Sequence, residues 1–140
     1  MNTQGAIGKY IGIPYRHNGR DLSGVDCLGL IAMFYKDLGI ALIDGDGAPI
    51  AEDWYVHDPE RYERGLESVG VEADGELQPL DLVYFELGDG VVRHAGIMVS
   101  KTHFIHVREG RRVDVSRYRG FWRKHHVGTR RLTKREGTES

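Results

Sequence analysis

Apolar residues recur at helical spacing in one early stretch of the chain and give way to strand-like runs in its second half. Between Cys27 and Leu38, the residues Leu30, Ile31, Phe34 and Leu38 fall on one face of a 3.6-residue repeat. Asp26 stands where an N-cap accepts an orphan backbone N–H, Lys36 lies in the last turn and Gly39 supplies a stop. The pattern predicts a buried amphipathic helix that begins at the cysteine. A second helical signal follows Asp58-Pro59, a cap with proline at the first helical position, and runs through PERYERGLESVG to Gly70. It reads as a surface insertion. From Leu80 onward, the runs LDLVYF, HAGIMVS, HFIHV, VDV and a last one near GTRRL are rich in β-branched and aromatic residues. A helix followed by strands without helices between them predicts an α+β domain: an N-terminal helix packed on an antiparallel sheet of about five strands.

The chain has 140 residues and 40% apolar content, enough for one core and little more. Residues 1–132 are read as one domain and 133–140 as a polar tail. The formal charge of -2 gives no general drive toward nucleic acid. The signs are uneven, acidic over 44–89 and basic over 108–135, which reads as two solvated faces, the basic one able to assist approach to a polyanionic wall. No stretch has the length or apolarity to insert in a membrane, and the opening MNTQGAIGKYIGIPY lacks an apolar export segment. The expectation is a chain made in the cytoplasm without its own export signal.

One cysteine excludes an internal disulfide, so Cys27 needs its own explanation. A lone cysteine is more often inert and buried than reactive. At a helix start, however, unpaired N–H groups and the positive end of the macrodipole favour the thiolate, and the thiolate is the nucleophile. Gly24 and Gly29 admit close neighbours there. The thiol also needs a base, and histidine titrates near neutrality. Seven histidines are present. His94 and His106 open and close two strand runs joined near Ser100 to Thr102, and a turn with an odd number of residues puts them on one face. His106 then orients His94. His103, three residues from His106, points to the opposite face. His17, His57, His125 and His126 are read as solvated surface residues. One cysteine and two histidines are also permissible zinc ligands, but short paired spacings such as C-x-x-C or H-E-x-x-H are missing, so no cofactor is expected.

The segments GIPYRHNGRDLSGVDCLGLIAMFYKDLGI, LQPLDLVYF, RHAGIMVS and HFIHV together resemble the NlpC family of papain-like cell-wall cysteine peptidases, over about Tyr10 to Leu132. The resemblance implies a papain-like fold with Cys27 as nucleophile, His94 as base and His106 as the orienting residue. It also implies that the Tyr15 hydroxyl helps hold the substrate carbonyl. For Asp26 two roles stay open, a helix cap and a contact for the substrate's free amino group. The implied reaction is hydrolysis of peptidoglycan stem peptides between γ-D-glutamate and the following diamino acid. Two positions depart from the family pattern: Leu28 replaces the usual serine after the cysteine, and Leu80 a usual glycine after proline. The D-C-L-G-L form resembles the branch found in bacteriophage tails and gene-transfer-agent particles, which implies phage-like tail proteins as partners and delivery to the wall by such a particle. The alternatives are a papain-like amidase or acyltransferase, and a non-catalytic tail or assembly component that keeps the fold.

Overall fold

A computed structural model describes residues 1–40, 42 and 50–132. In chain order the elements are α1 (Thr3–Tyr10), β1 (Arg20–Asp21), β2 (Gly24–Val25), α2 (Cys27–Asp37), α3 (Trp54–His57), α4 (Arg61–Glu67), β3 (Val71–Glu72), β4 (Leu82–Glu86), β5 (Val92–Met98), β6 (His103–His106), β7 (Asp114–Arg117), α5 (Phe121–Lys124) and β8 (His126–Arg131). β1 and β2 form a small hairpin, and the remaining strands form one sheet in the order β3-β8-β4-β5-β6-β7. Every neighbouring pair in that sheet is antiparallel. The five predicted strand runs correspond to β4 through β8, and β3 is an added two-residue edge strand. The predicted tail at 133–140 lies outside the described residues.

The sheet buries side chains on both faces. Leu82, Tyr84, Ala95, Ile97 and Ile105 meet Leu30, Ile31 and Phe34 of α2 on one face, while Val83, Phe85, Met98 and Phe104 meet Trp122 on the other. The period-2 alternation of a strand makes this division, so LVYFE serves two cores at once. Leu30 and Phe34 are fully buried, each contributing about 1.5–3 kcal/mol by removal from water.

α2 starts and stops where the sequence places it. The Asp26 side chain accepts the Gly29 N–H at 2.8 Å, and Gly39, with φ 86°, ends the element in the left-handed region. Helix α1 was not signalled by apolar periodicity. It rests on a cap in which Asn2 accepts the Gly5 N–H at 2.8 Å, and on buried Ala6 and Tyr10, one turn apart. Lys9 meets Asp37 at 2.8 Å and so ties α1 to the end of α2.

The predicted helical insertion differs from expectation in two ways. Its regular part begins at Arg61 rather than at Pro59, because Asp58 pairs with Arg64 at 2.6 Å instead of capping. It is also not a surface addition. Tyr62 and Leu66 join the core on the α2 side, and Tyr62 stacks on Trp54 of α3 with ring centroids 4.3 Å apart. Leu80, where the family pattern has glycine, does adopt a positive φ of 73°, a conformation that costs a leucine roughly 1–2 kcal/mol. Its carbonyl accepts the Tyr35 hydroxyl at 2.7 Å and its N–H donates to Met98 at 2.6 Å.

Candidate active site

Helix α2 delivers Cys27 to the sheet, where the residue is 3% exposed. The backbone N–H groups of Ala95 and Leu28 lie close enough to its sulfur to favour the thiolate. The first places the sulfur against β5, one residue past His94. Burial, followed by the charge of Asp26, pushes the thiol well up despite those two donors and the Arg20 cation. This corrects the expectation that the helix start alone favours the thiolate: desolvation of a wholly buried sulfur outweighs the orphan N–H groups. Burial, then His106 and Arg108, holds His94 well below the ordinary histidine range. Burial thus disfavours the charged form of both the thiol and the imidazole.

The hairpin of β5 and β6 meets the geometric requirement set by the sequence. Gly96 pairs with His106 and Met98 with Phe104, and Val99 N–H donates to His103 at 2.9 Å, which closes a turn of Ser100, Lys101 and Thr102. His94 and His106 thus share a face, and His94 Nε2 lies 2.8 Å from His106 Nδ1. His106 Nε2 in turn lies 2.7 Å from Ser116 Oγ on β7. Burial and Arg108, opposed by Asp114, bring His106 down to about 4. His103 points the other way and bonds Thr102 Oγ1 at 2.7 Å.

Trp122 roofs the histidine pair. It stacks on His94 with centroids 5.0 Å apart and meets His106 edge-on at the same distance, while the Arg108 guanidinium lies 5.4 Å from its ring centroid. Ser116 and Arg108 are not foreseen from the sequence. Neither carries a local motif, and only the β6–β7 register brings Ser116 to His106.

Asp26 is committed on both oxygens. Oδ1 accepts from Gly29 N–H and, at 2.7 Å, from Arg20, and Oδ2 accepts the Asn18 N–H at 2.9 Å. Of the two roles left open, the cap is occupied. Gly29 is required here, because a Cβ would stand 2.2 Å from the Gly19 carbonyl oxygen. The close neighbour is thus the loop before the helix, not the sheet.

Tyr15 is half-buried and lines a groove of about 400 Å³ with His17, Trp54, Tyr62, Arg93 and Glu109. Burial, followed by the charge Cys27 bears as thiolate and those of nearby carboxylates, pushes its phenol above the usual tyrosine range, so it remains a hydrogen-bond donor. The segment that carries it is held in place by residues far along the chain: Tyr15 N–H donates to Arg111 at 2.9 Å, Gly12 N–H to Val113 at 2.9 Å, and Val113 N–H to Ile13 at 2.8 Å.

Three histidines read as solvated are not. His17 is partly buried and bonds the Ile50 carbonyl; His125 bonds Glu86 at 2.5 Å; His126 contacts Tyr118, Gly128 and Thr129. Each is drawn in by a partner distant in sequence or by a strand end, which composition alone does not show. His57 is exposed beside Asp53, as expected.

Residues 12–131 match the NlpC/P60 family. The chain belongs to the NlpC/P60 family. It is 33% identical over 126 residues to murein DD-endopeptidase MepH of Escherichia coli K12, covering 87% of this chain and 42% of that protein. It is 29% identical over 124 residues to the probable endopeptidase NlpC of the same organism, covering 86% and 70%. It thus spans less than half the length of the first of these relatives. Among solved structures, an NlpC/P60 family protein from Bacillus cereus superposes with a TM-score of 0.69 at 25% identity, over 94% of this chain and 40% of that one. The NlpC/p60 domain of the peptidoglycan hydrolase SagA superposes with a TM-score of 0.62 at 24% identity, over 94% of this chain and all of that one. The antiparallel sheet with its cysteine-bearing helix is the architecture of this family.

Proposed function

We propose that the chain is a cysteine endopeptidase that hydrolyses peptidoglycan stem peptides at the bond between γ-D-glutamate and the following diamino acid. The observation that carries this reading is the chain of contacts from His94 through His106 to Ser116, with a helix-start cysteine held close to the backbone of the same strand. Relatives named as murein endopeptidases support the substrate class.

The proposed relay requires one arrangement of protons. For His94 Nδ1 to accept from Cys27, Nε2 must carry hydrogen and donate to His106 Nδ1, and His106 Nε2 then donates to Ser116. Substrate drives the thiol proton onto His94, and the thiolate attacks the carbonyl carbon. The Tyr15 hydroxyl and the Cys27 N–H stabilise the oxyanion. Collapse breaks the C–N bond, and His94 gives its proton to the departing amine. Water, activated by His94, then hydrolyses the thioester and restores the thiol. His106 steadies the imidazolium between these steps. On the same reading, the D-C-L-G-L nucleophile segment supports delivery of the chain to the wall by a phage-like particle and association with its tail proteins.

The test is Cys27→Ala. The variant should keep the wild-type circular dichroism and unfolding midpoint within about 1 kcal/mol, and release no peptide from purified peptidoglycan. Release at the wild-type rate would falsify the mechanism.

A further inference from the structure

We propose that Trp122 is a positioning residue for the hydrolase: its indole face holds the His94 imidazole in one plane and stabilises the charge that ring carries once it has taken the Cys27 proton. The inference rests on the reading of His94 as the base and adds a residue that reading does not contain. The two imidazoles are bonded along their edges and enclosed by aromatic rings. Along the edges run the contacts from His94 to His106 and on to Ser116. The Trp122 ring lies 28° from coplanar with His94 at a centroid distance of 5.0 Å, and Phe85 lies 5.9 Å from the same imidazole. Phe104 and Trp122 flank His106 at 4.4 and 5.0 Å. Among the described residues neither imidazole forms an ion pair with an acid, and Asp114 bears on His106 through its charge.

This arrangement suits a base that must stay free to accept a proton and then carry it for one step. A carboxylate bonded to the ring would favour the charged form before substrate arrives and leave the thiol without an acceptor. An aromatic face attracts a cation within about 6 Å of its centre more gently. Burial opposes the charged His94, and the indole offsets part of that opposition only while the charge is present. The indole is also well anchored. Trp122 is 9% exposed and packs on Phe85 and Phe104, with centroids 5.0 and 5.4 Å away. The chain ahead of α5 is tied to the β5–β6 turn by the Tyr118 N–H, which donates to the Thr102 carbonyl at 2.8 Å. Behind α5, His125 Nδ1 lies 2.5 Å from Glu86 Oε2, and the His125 carbonyl accepts the Glu86 N–H at 3.1 Å. The strands that carry the histidines and their neighbours therefore also fix the indole, so its plane is set before substrate binds.

The experiment weakens the indole face with little change of shape. Tryptophan, 5-fluorotryptophan and 5,6,7-trifluorotryptophan are placed at position 122 alone, since each fluorine withdraws charge from the ring face. Hydrolysis of a soluble muropeptide should slow in that order, by about threefold in kcat for the last, with KM unchanged. Trp122→Leu, which keeps an apolar filling and removes the face, should lower kcat about tenfold, and Trp122→Phe should recover most of the rate. Should Trp122→Leu fail to fold, the fluorinated series decides. A second measurement needs no turnover: alkylation of the Cys27 thiol by iodoacetamide. Full fluorination should slow it by the same factor as kcat in the native background and leave it unchanged in the His94→Asn protein, because the face acts through that ring. Rates indifferent to fluorination, a loss confined to KM, or equal slowing of alkylation with and without His94 overturns the proposal. Alkylation that follows the expected pattern in a protein that releases no peptide sinks the hydrolase reading and leaves the placement of Trp122 standing.

Discussion

Acidification should unpick this fold through His106. The side chain is 5% exposed, and burial with the Arg108 charge lowers it from 6.5 to about 4. Folding therefore selects the neutral ring. Above pH 6.5 neither state holds the proton, and the contribution is fully present. Between 6.5 and about 4 the unfolded chain binds the proton and the folded chain does not, so stability falls as pH falls. By pH 4.5 the loss from this one group is about 2.5 kcal/mol, a large part of a small domain's stability. His94 shifts in the same direction. Several carboxylates, among them Asp37, Asp58 and Glu86, are also held down and add an acid-labile component of their own. The clean measurement is a difference: urea unfolding from pH 7.5 to 4.5 for the native protein and for His106→Asn, whose amide does not titrate. Groups distant from His106 cancel, and His94, which His106 helps to hold neutral, adds to the difference in the same direction. The stability advantage of the native chain over the variant should shrink by about 2–3 kcal/mol across that range. A difference that stays constant with pH would show that His106 is not held neutral by its surroundings, and the proton assignment in the relay would fail with it.

Ser116→Ala removes the last acceptor of the relay and should lower kcat about five- to tenfold, the worth of one neutral hydrogen bond, with little change in KM. Ser116→Thr should recover most of the rate, and a Ser116→Ala protein with native kcat would remove the residue from the mechanism. Gly29→Ala drives a Cβ to 2.2 Å from a backbone oxygen and should destabilise the protein by about 2–4 kcal/mol, read as a lower urea midpoint. A midpoint equal to that of the native chain would mean that the loop at Gly19 yields freely.

Much of this architecture is legible in residue order because local rules govern it. The cap, apolar stripe and glycine stop of α2 are contiguous, and strand alternation sets both His94 and His106 on one face once the turn length is fixed. What escaped is non-local. Ser116 reaches His106 only through the β6–β7 register, and Tyr62 and Trp54 enter the core from a segment whose polarity reads as surface. The ionisation of Cys27 was misjudged for a related reason. The helix start is visible in sequence, whereas the degree of desolvation depends on everything packed around the sulfur. His17 and His126 show the same limit, since each acquires its partners only in the folded chain.

The short ladder that joins residues 12–15 to 111–113 has a kinetic consequence. The nucleophile's helix is local and can form early, but the hydroxyl of Tyr15 is positioned by backbone made roughly a hundred residues later, and both imidazoles await the closing of the central hairpin. A nascent or partly folded chain therefore carries a cysteine without the apparatus to use it. On the proposed reading, hydrolytic capability arrives together with the last long-range pairing, so the cell that makes this protein holds only inert precursors until the domain is whole.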